Sequence, residues 1–113
     1  MVRIHVKLLT KGTNDPLFGK EYKVKFYDKD LIKDDLLGES DLDDHGVAKL
    51  LINKKNYTSL DSPFERHPDI YFTFSKNGKV IYKSPVLENV HLEEQYGYPD
   101  VPGLDFDLGS YLL

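Results

Sequence analysis

Six aspartates have the types and spacing to do chemistry: Asp28, Asp30, Asp34, Asp35, Asp41 and Asp43 lie within 16 residues. Crowded carboxylate oxygens are the hard donors that a calcium ion takes. If the loops carrying them met at one end of a fold, they would make a calcium-responsive site. These six are therefore the candidate metal ligands, with calcium the one cofactor they point to. Nothing in the spacing guarantees a rigid cage, so any such binding is expected to be no tighter than about 10⁻⁴ M. The competing reading is a pair of solvated turns. Asp41-Leu-Asp-Asp-His-Gly also imitates the start of an EF-hand loop, but the twelfth position is Ile52 where a bidentate glutamate is needed. A hairpin turn explains those residues better.

Other chemistry finds little support. Histidines at 5, 45, 67 and 91 show no metal-ligand spacing, and the chain has no cysteine. The serines lack a nucleophile-elbow context. Tyr96, Tyr98 and Tyr111 stand in a glycine- and proline-rich stretch and at the chain end, where a core role is less obvious. Exposed loop tyrosines favour contact with a partner, so these three are the candidate partner-contact residues.

The elements that must position these groups are strands. Val2, Ile4, Val6 and Leu8 alternate with Arg3, His5 and Lys7, the period of a half-buried strand. Similar alternation predicts strands over 22–27, 36–40, 47–52, 69–75 and 79–83, and a last one around Leu104, Phe106 and Leu108. Gly46 closes the acidic turn before the 47–52 strand, where a positive φ is free of steric cost. Asn77-Gly78 is the strongest hairpin signal, since a type I′ turn needs positive φ at both central residues. Seven or eight short strands at this spacing predict an all-β antiparallel β-sandwich. Val24, Phe26, Leu50, Ile70 or its neighbour Tyr71, Phe72 and Val80 are the expected interior. Residues 1–113 are expected to form one sandwich domain, with an irregular acidic C-terminal segment from about residue 84.

Three stretches carry a resemblance: Lys23-Val-Lys-Phe-Tyr-Asp-Lys-Asp, Asp34-Asp-Leu-Leu-Gly-Glu and the Asp43-Asp-His-Gly turn. Together they resemble the transthyretin-like (prealbumin-like) β-sandwich domains, strongly over about 30 residues. The resemblance implies a sandwich with a non-catalytic binding or interaction role, and it names no ligand. The enzymatic branch of that superfamily, the 5-hydroxyisourate hydrolases, uses an N-terminal histidine, an arginine after the acidic turn and a C-terminal tyrosine–arginine–glycine–serine. His5 could stand for the first, but Val47 follows Gly46 and the chain ends Gly109-Ser-Tyr-Leu-Leu. The cation that would hold an anionic substrate is missing from those positions. Asp28-Lys-Asp and Asp35-Leu-Leu-Gly-Glu also look like a calcium loop of the membrane-targeting sandwiches first recognised in protein kinase C. There a distant second acidic loop completes the site, and upstream of Asp28 the loop before the second strand is poor in acids, with Asp15 its one aspartate.

Charge and composition bound the partners. The net charge of −4 is blocky: residues 28–46 carry −6 and residues 84–113 another −6, while 1–27 and 47–83 each carry +4. An acidic chain without a concentrated basic stripe makes nucleic acid a poor partner. No apolar run is long enough to span a membrane, and the N-terminus reads as a strand rather than a secretory signal. With no cysteine, a cytoplasmic location is expected. A protein or small-molecule partner is expected, and a homo-oligomer is compatible with everything above.

Overall fold

The computed structural model describes residues 2–30, 32–52, 69–88 and 105–113. They form seven strands: β1 (Val2–Leu9), β2 (Tyr22–Asp28), β3 (Asp35–Ser40), β4 (Val47–Ile52), β5 (Ile70–Lys76), β6 (Lys79–Lys83) and β7 (Asp105–Leu112). No helix occurs among the described residues. Two sheets result, one ordered β4-β1-β7 and the other β3-β2-β5-β6. The all-β sandwich expected from alternation is present; six strands lie within a residue or two of their expected places, and the last runs four residues past Leu108 to Leu112.

Alternation also selects the core. Ile4, Val6 and Leu8 from β1, Val24 and Phe26 from β2, and Ile70, Phe72 and Phe74 from β5 are all buried. Each such side chain removed from water contributes about 1.5–3 kcal/mol. Leu50 packs half-buried against this cluster. The hairpin forms as expected: Asn77 and Gly78 have φ of 51° and 81°, and Lys76 pairs with Lys79.

Two expectations need correction. The sandwich is not wholly antiparallel, because β1 and β7 pair in parallel. Side-chain periodicity carries no information about strand direction. Parallel neighbours cannot be joined by a tight hairpin, and β1 and β7, the first and last of the described strands, are linked only through the five strands between them. Val80 is not core; it is 54% exposed. The β5–β6 ladder shifts register between Phe74 and Ser75, so that Phe74 faces Tyr82 but Ser75 faces Val80. Cross-strand partners share a face, and Ser75 lies on the side away from the core. The extra residue on β6 is a bulge, which turns Val80 outward and lets Tyr82 pack inward.

A second bulge sets the last strand. His5 pairs with Asp107 but Lys7 with Ser110, leaving one extra residue of β7 around Gly109, whose φ is 106°. The shift brings Tyr111 to the inner face, its ring edge-on to Phe72 at 4.9 Å.

Candidate functional site

The aspartates are distributed by β3. Asp28 ends β2 and pairs with Asp35, with Asp30 and Asp34 in the loop between them, whereas Asp41 and Asp43 follow the far end of β3. Six residues of strand separate the two groups by about 20 Å. The six therefore do not gather at one end. Among the described residues, no three histidine, aspartate or glutamate side chains come together as a metal-holding group.

Three of the six have definite structural work. Asp34 accepts the Tyr71 hydroxyl on one oxygen, at 2.5 Å, and the Asp30 N–H on the other, at 3.0 Å. The Tyr71 bond first, and the Asp30 N–H next, hold its carboxyl below the usual range. Burial, then the same bond to Asp34, pushes the Tyr71 phenol up. Asp41 pairs with Lys23 at 2.8 Å, which raises the lysine. Millimolar calcium against chelator is expected to leave the melting temperature unchanged. A rise abolished by Asp30→Asn with Asp35→Asn would make the first group a metal site.

Asp43 builds its turn. One carboxylate oxygen accepts the N–H groups of His45 and Val47, both at 2.9 Å, and Gly46 N–H donates to the Asp43 carbonyl. Burial works to raise the Asp43 pKa, but the two N–H donors outweigh it and the net shift is downward. A lowered folded value means that its stabilisation is complete above the ordinary 3.8 and is lost as pH falls through the lowered value. Melting temperature followed from pH 7 to pH 2 should therefore fall less steeply in Asp43→Ala than in the parent below about pH 4.

Of the candidate contact tyrosines, Tyr96 and Tyr98 lie outside the described residues. Tyr111 is half-buried, packs on Phe72 and Tyr82, and donates its hydroxyl to the Leu108 carbonyl. Packing accounts for its ring.

On the outer face of the three-stranded sheet, His5 Nε2 lies 3.3 Å from Asp107. The register sets Lys49 opposite His5 and Lys7 opposite Val47. Cations thus do stand beside His5, though not at the position that the hydrolase resemblance requires. Sequence spacing could not show the Lys49 neighbour, which stands 44 positions from His5 along the chain and meets it only through strand pairing.

The outer face of the four-stranded sheet is the place that sequence reasoning missed. Strand β5 is buried on both faces from Ile70 to Ser75. Ile70, Phe72 and Phe74 face the core, so Tyr71, Thr73 and Ser75 form the floor of the opposite side. Rows run across this floor: Tyr27 beside Tyr71, Glu39–Lys25–Thr73–Lys83, and Lys23–Ser75–Val80. Tyr27 and Tyr71 stack at 5.0 Å, and the Lys83 ammonium lies 4.7 Å from the centre of the Tyr71 ring. Small side chains on the central strand between long ones on its neighbours leave a hollow. A cavity of about 320 Å³ opens there, lined by Lys20, Lys23, Lys25, Glu39, Ser75 and Asn77 among others. The Thr73 hydroxyl is buried and has no hydrogen-bond partner, a condition that costs about 1–3 kcal/mol. The available signal was the Thr73/Ser75 alternation opposite Phe72/Phe74, which reads as ordinary solvent-facing polarity until the flanking lysines are placed.

No protein-family model matches the sequence, and no curated protein matches it. Among solved structures, a 9R-lipoxygenase from Cyanothece PCC8801 is similar over 98% of this chain, with a TM-score of 0.55 and 18% identity. The chain spans 16% of the length of that protein. The likeness is one of fold alone.

Proposed function

We propose that this chain is a non-catalytic binding module on a transthyretin-like sandwich, and that it takes a small ligand on the outer face of the four-stranded sheet. One observation carries the reading: the hollow of about 320 Å³ on that face, bounded by β2 and its lead-in, Glu39 of β3, Ser75 at the end of β5 and the Asn77-Gly78 turn. Its volume is at the lower end of the range for small-molecule sites. The opposite side of β2 and β5 is the core, so the floor is rigid. Two features support a module: a chain of this size that is one sandwich, and a similar shape within the far longer lipoxygenase chain. A reducing, cytoplasmic setting suits a chain without cysteine.

Amide chemical-shift mapping of the full chain against a mixed library of small polar metabolites tests the reading. Binding should perturb β2, β3 and the end of β5 together and leave β1 and β4 unmoved. No saturable shift on that face across the library would overturn the reading. The rival is tested beside it with 5-hydroxyisourate, for which no rate above the uncatalysed one is expected. Turnover that disappears in His5→Ala would move the function to the three-stranded sheet and make the protein an enzyme.

A further inference from the structure

Two polar groups in the row that borders the hollow at Lys25 have nothing to bond. The Thr73 hydroxyl is buried without a partner. Next to it across β2, the Lys25 ammonium makes no hydrogen bond or ion pair among the described residues, although Glu39 stands opposite it on β3. The third member, Lys83, flanks Thr73 from β6 and is held over the sheet by the Tyr71 ring at 4.7 Å. We propose that Lys25, Thr73 and Lys83 hold a phosphate-type oxyanion, the charged group of a small soluble phosphorylated ligand whose body lies in the adjoining cavity.

The row has the geometry for this. Direct cross-strand neighbours have Cβ atoms about 5 Å apart, which puts the two lysine Cβ atoms roughly 10 Å apart with Thr73 midway. Flexible four-carbon stems let both ammonium groups turn in over the threonine. An ammonium only donates, and a hydroxyl can donate, so the three groups call for an acceptor on every side. A phosphate offers three acceptor oxygens and takes charge-assisted bonds from lysine. Acids also border the row: Glu39 stands opposite Lys25, and Asp34 keeps its charge while accepting the Tyr71 hydroxyl and lies within electrostatic reach of Lys83, whereas Asp41 is paired with Lys23. Lys23, Ser75 and Asn77 extend the lining beyond the oxyanion and offer polar contacts to the rest of the ligand.

This assignment rests on the binding-module reading and can fail separately from it. Inorganic phosphate is titrated into the full chain and followed by amide shifts, against chloride at matched ionic strength. Saturable shifts are expected at Lys25, Thr73 and Lys83, with a millimolar dissociation constant. Lys25→Gln should weaken binding at least tenfold, and Thr73→Val severalfold while raising the melting temperature of the phosphate-free protein. Lys49→Gln, on the other sheet, should leave binding unchanged. Shifts of equal size around Lys7 and Lys49, or a constant untouched by Lys25→Gln, would overturn the proposal. If phosphate fails while a library compound perturbs β2, β3 and the end of β5, the oxyanion site is wrong and the module reading stands. Vesicles containing phosphatidic acid supply the last arm. Sedimentation with them that Lys25→Gln abolishes would make the source a lipid headgroup and overturn the assignment to a soluble ligand.

Discussion

Replacing Phe72 with alanine is expected to destabilise the protein by about 3–5 kcal/mol, the range for emptying a buried phenylalanine site. The ring is 1% exposed and sits where both sheets meet. Phe26 lies beside it at 6.4 Å, Tyr82 at 6.0 Å and Tyr111, from the other sheet, edge-on at 4.9 Å. Because strands on three sides are fixed by their ladders, the walls cannot close over the void, and the loss should lie toward the upper end. A small domain has about 5–15 kcal/mol to lose, so the change would leave much of the population unfolded at moderate temperature. Urea unfolding followed by tyrosine fluorescence measures it. Val80→Ala is the matched control on the next strand, expected to cost within about 0.5 kcal/mol because Val80 faces solvent. A loss under about 1 kcal/mol for Phe72→Ala would mean that the two sheets do not share this core.

Gly46→Ala should be the second most damaging single change, well beyond Gly78→Ala. Both glycines hold nearly the same left-handed backbone, with φ of 76° and 81°, so both pay the same strain of about 1–2 kcal/mol on gaining a Cβ. Their surroundings differ. A Cβ on Gly78 meets nothing within 4 Å, whereas one on Gly46 would come within 2.4 Å of the Leu8 carbonyl oxygen. That oxygen cannot yield easily, because it already accepts the Leu17 N–H, and the Leu8 N–H donates to the Gly46 carbonyl. The acidic turn is thus pressed directly onto the end of β1. Thermal unfolding of the two variants isolates the contact, with Gly46→Ala expected to lose at least about 2 kcal/mol more than Gly78→Ala. Equal losses would show that the turn stands off from β1.

The strands were legible because a half-buried strand writes its two faces into alternate residues, and here the writing is clean. The β1 run from Val2 to Leu9, the β5 run from Ile70 to Lys76 and the Asn77-Gly78 turn all follow from local chemistry. The same holds for Gly46, whose positive φ the turn demands. Val80 shows where the rule stops. Alternation places it with Tyr82, and only the bulge in the β5–β6 ladder, a property of two strands together, turns it outward. Tyr111 is the mirror case: the bulge at Gly109 brings an apparently exposed terminal tyrosine onto Phe72.

The candidate sites divide along the same line. Sequence proximity grouped Asp28 through Asp43, but β3 runs between the two halves and holds them apart, because an extended chain converts six residues into about 20 Å. Conversely, nothing local joins Lys25, Thr73 and Lys83. They become neighbours through the pairing of β2 and β6 on either side of β5. By itself the sequence determined the strands, the turns and most of the core, since each depends on the order of polar and apolar residues along a few positions. The tertiary structure decided the direction of β7, the facing of Val80 and Tyr111, and which charged groups meet, because pairing register brings together residues that are remote along the chain.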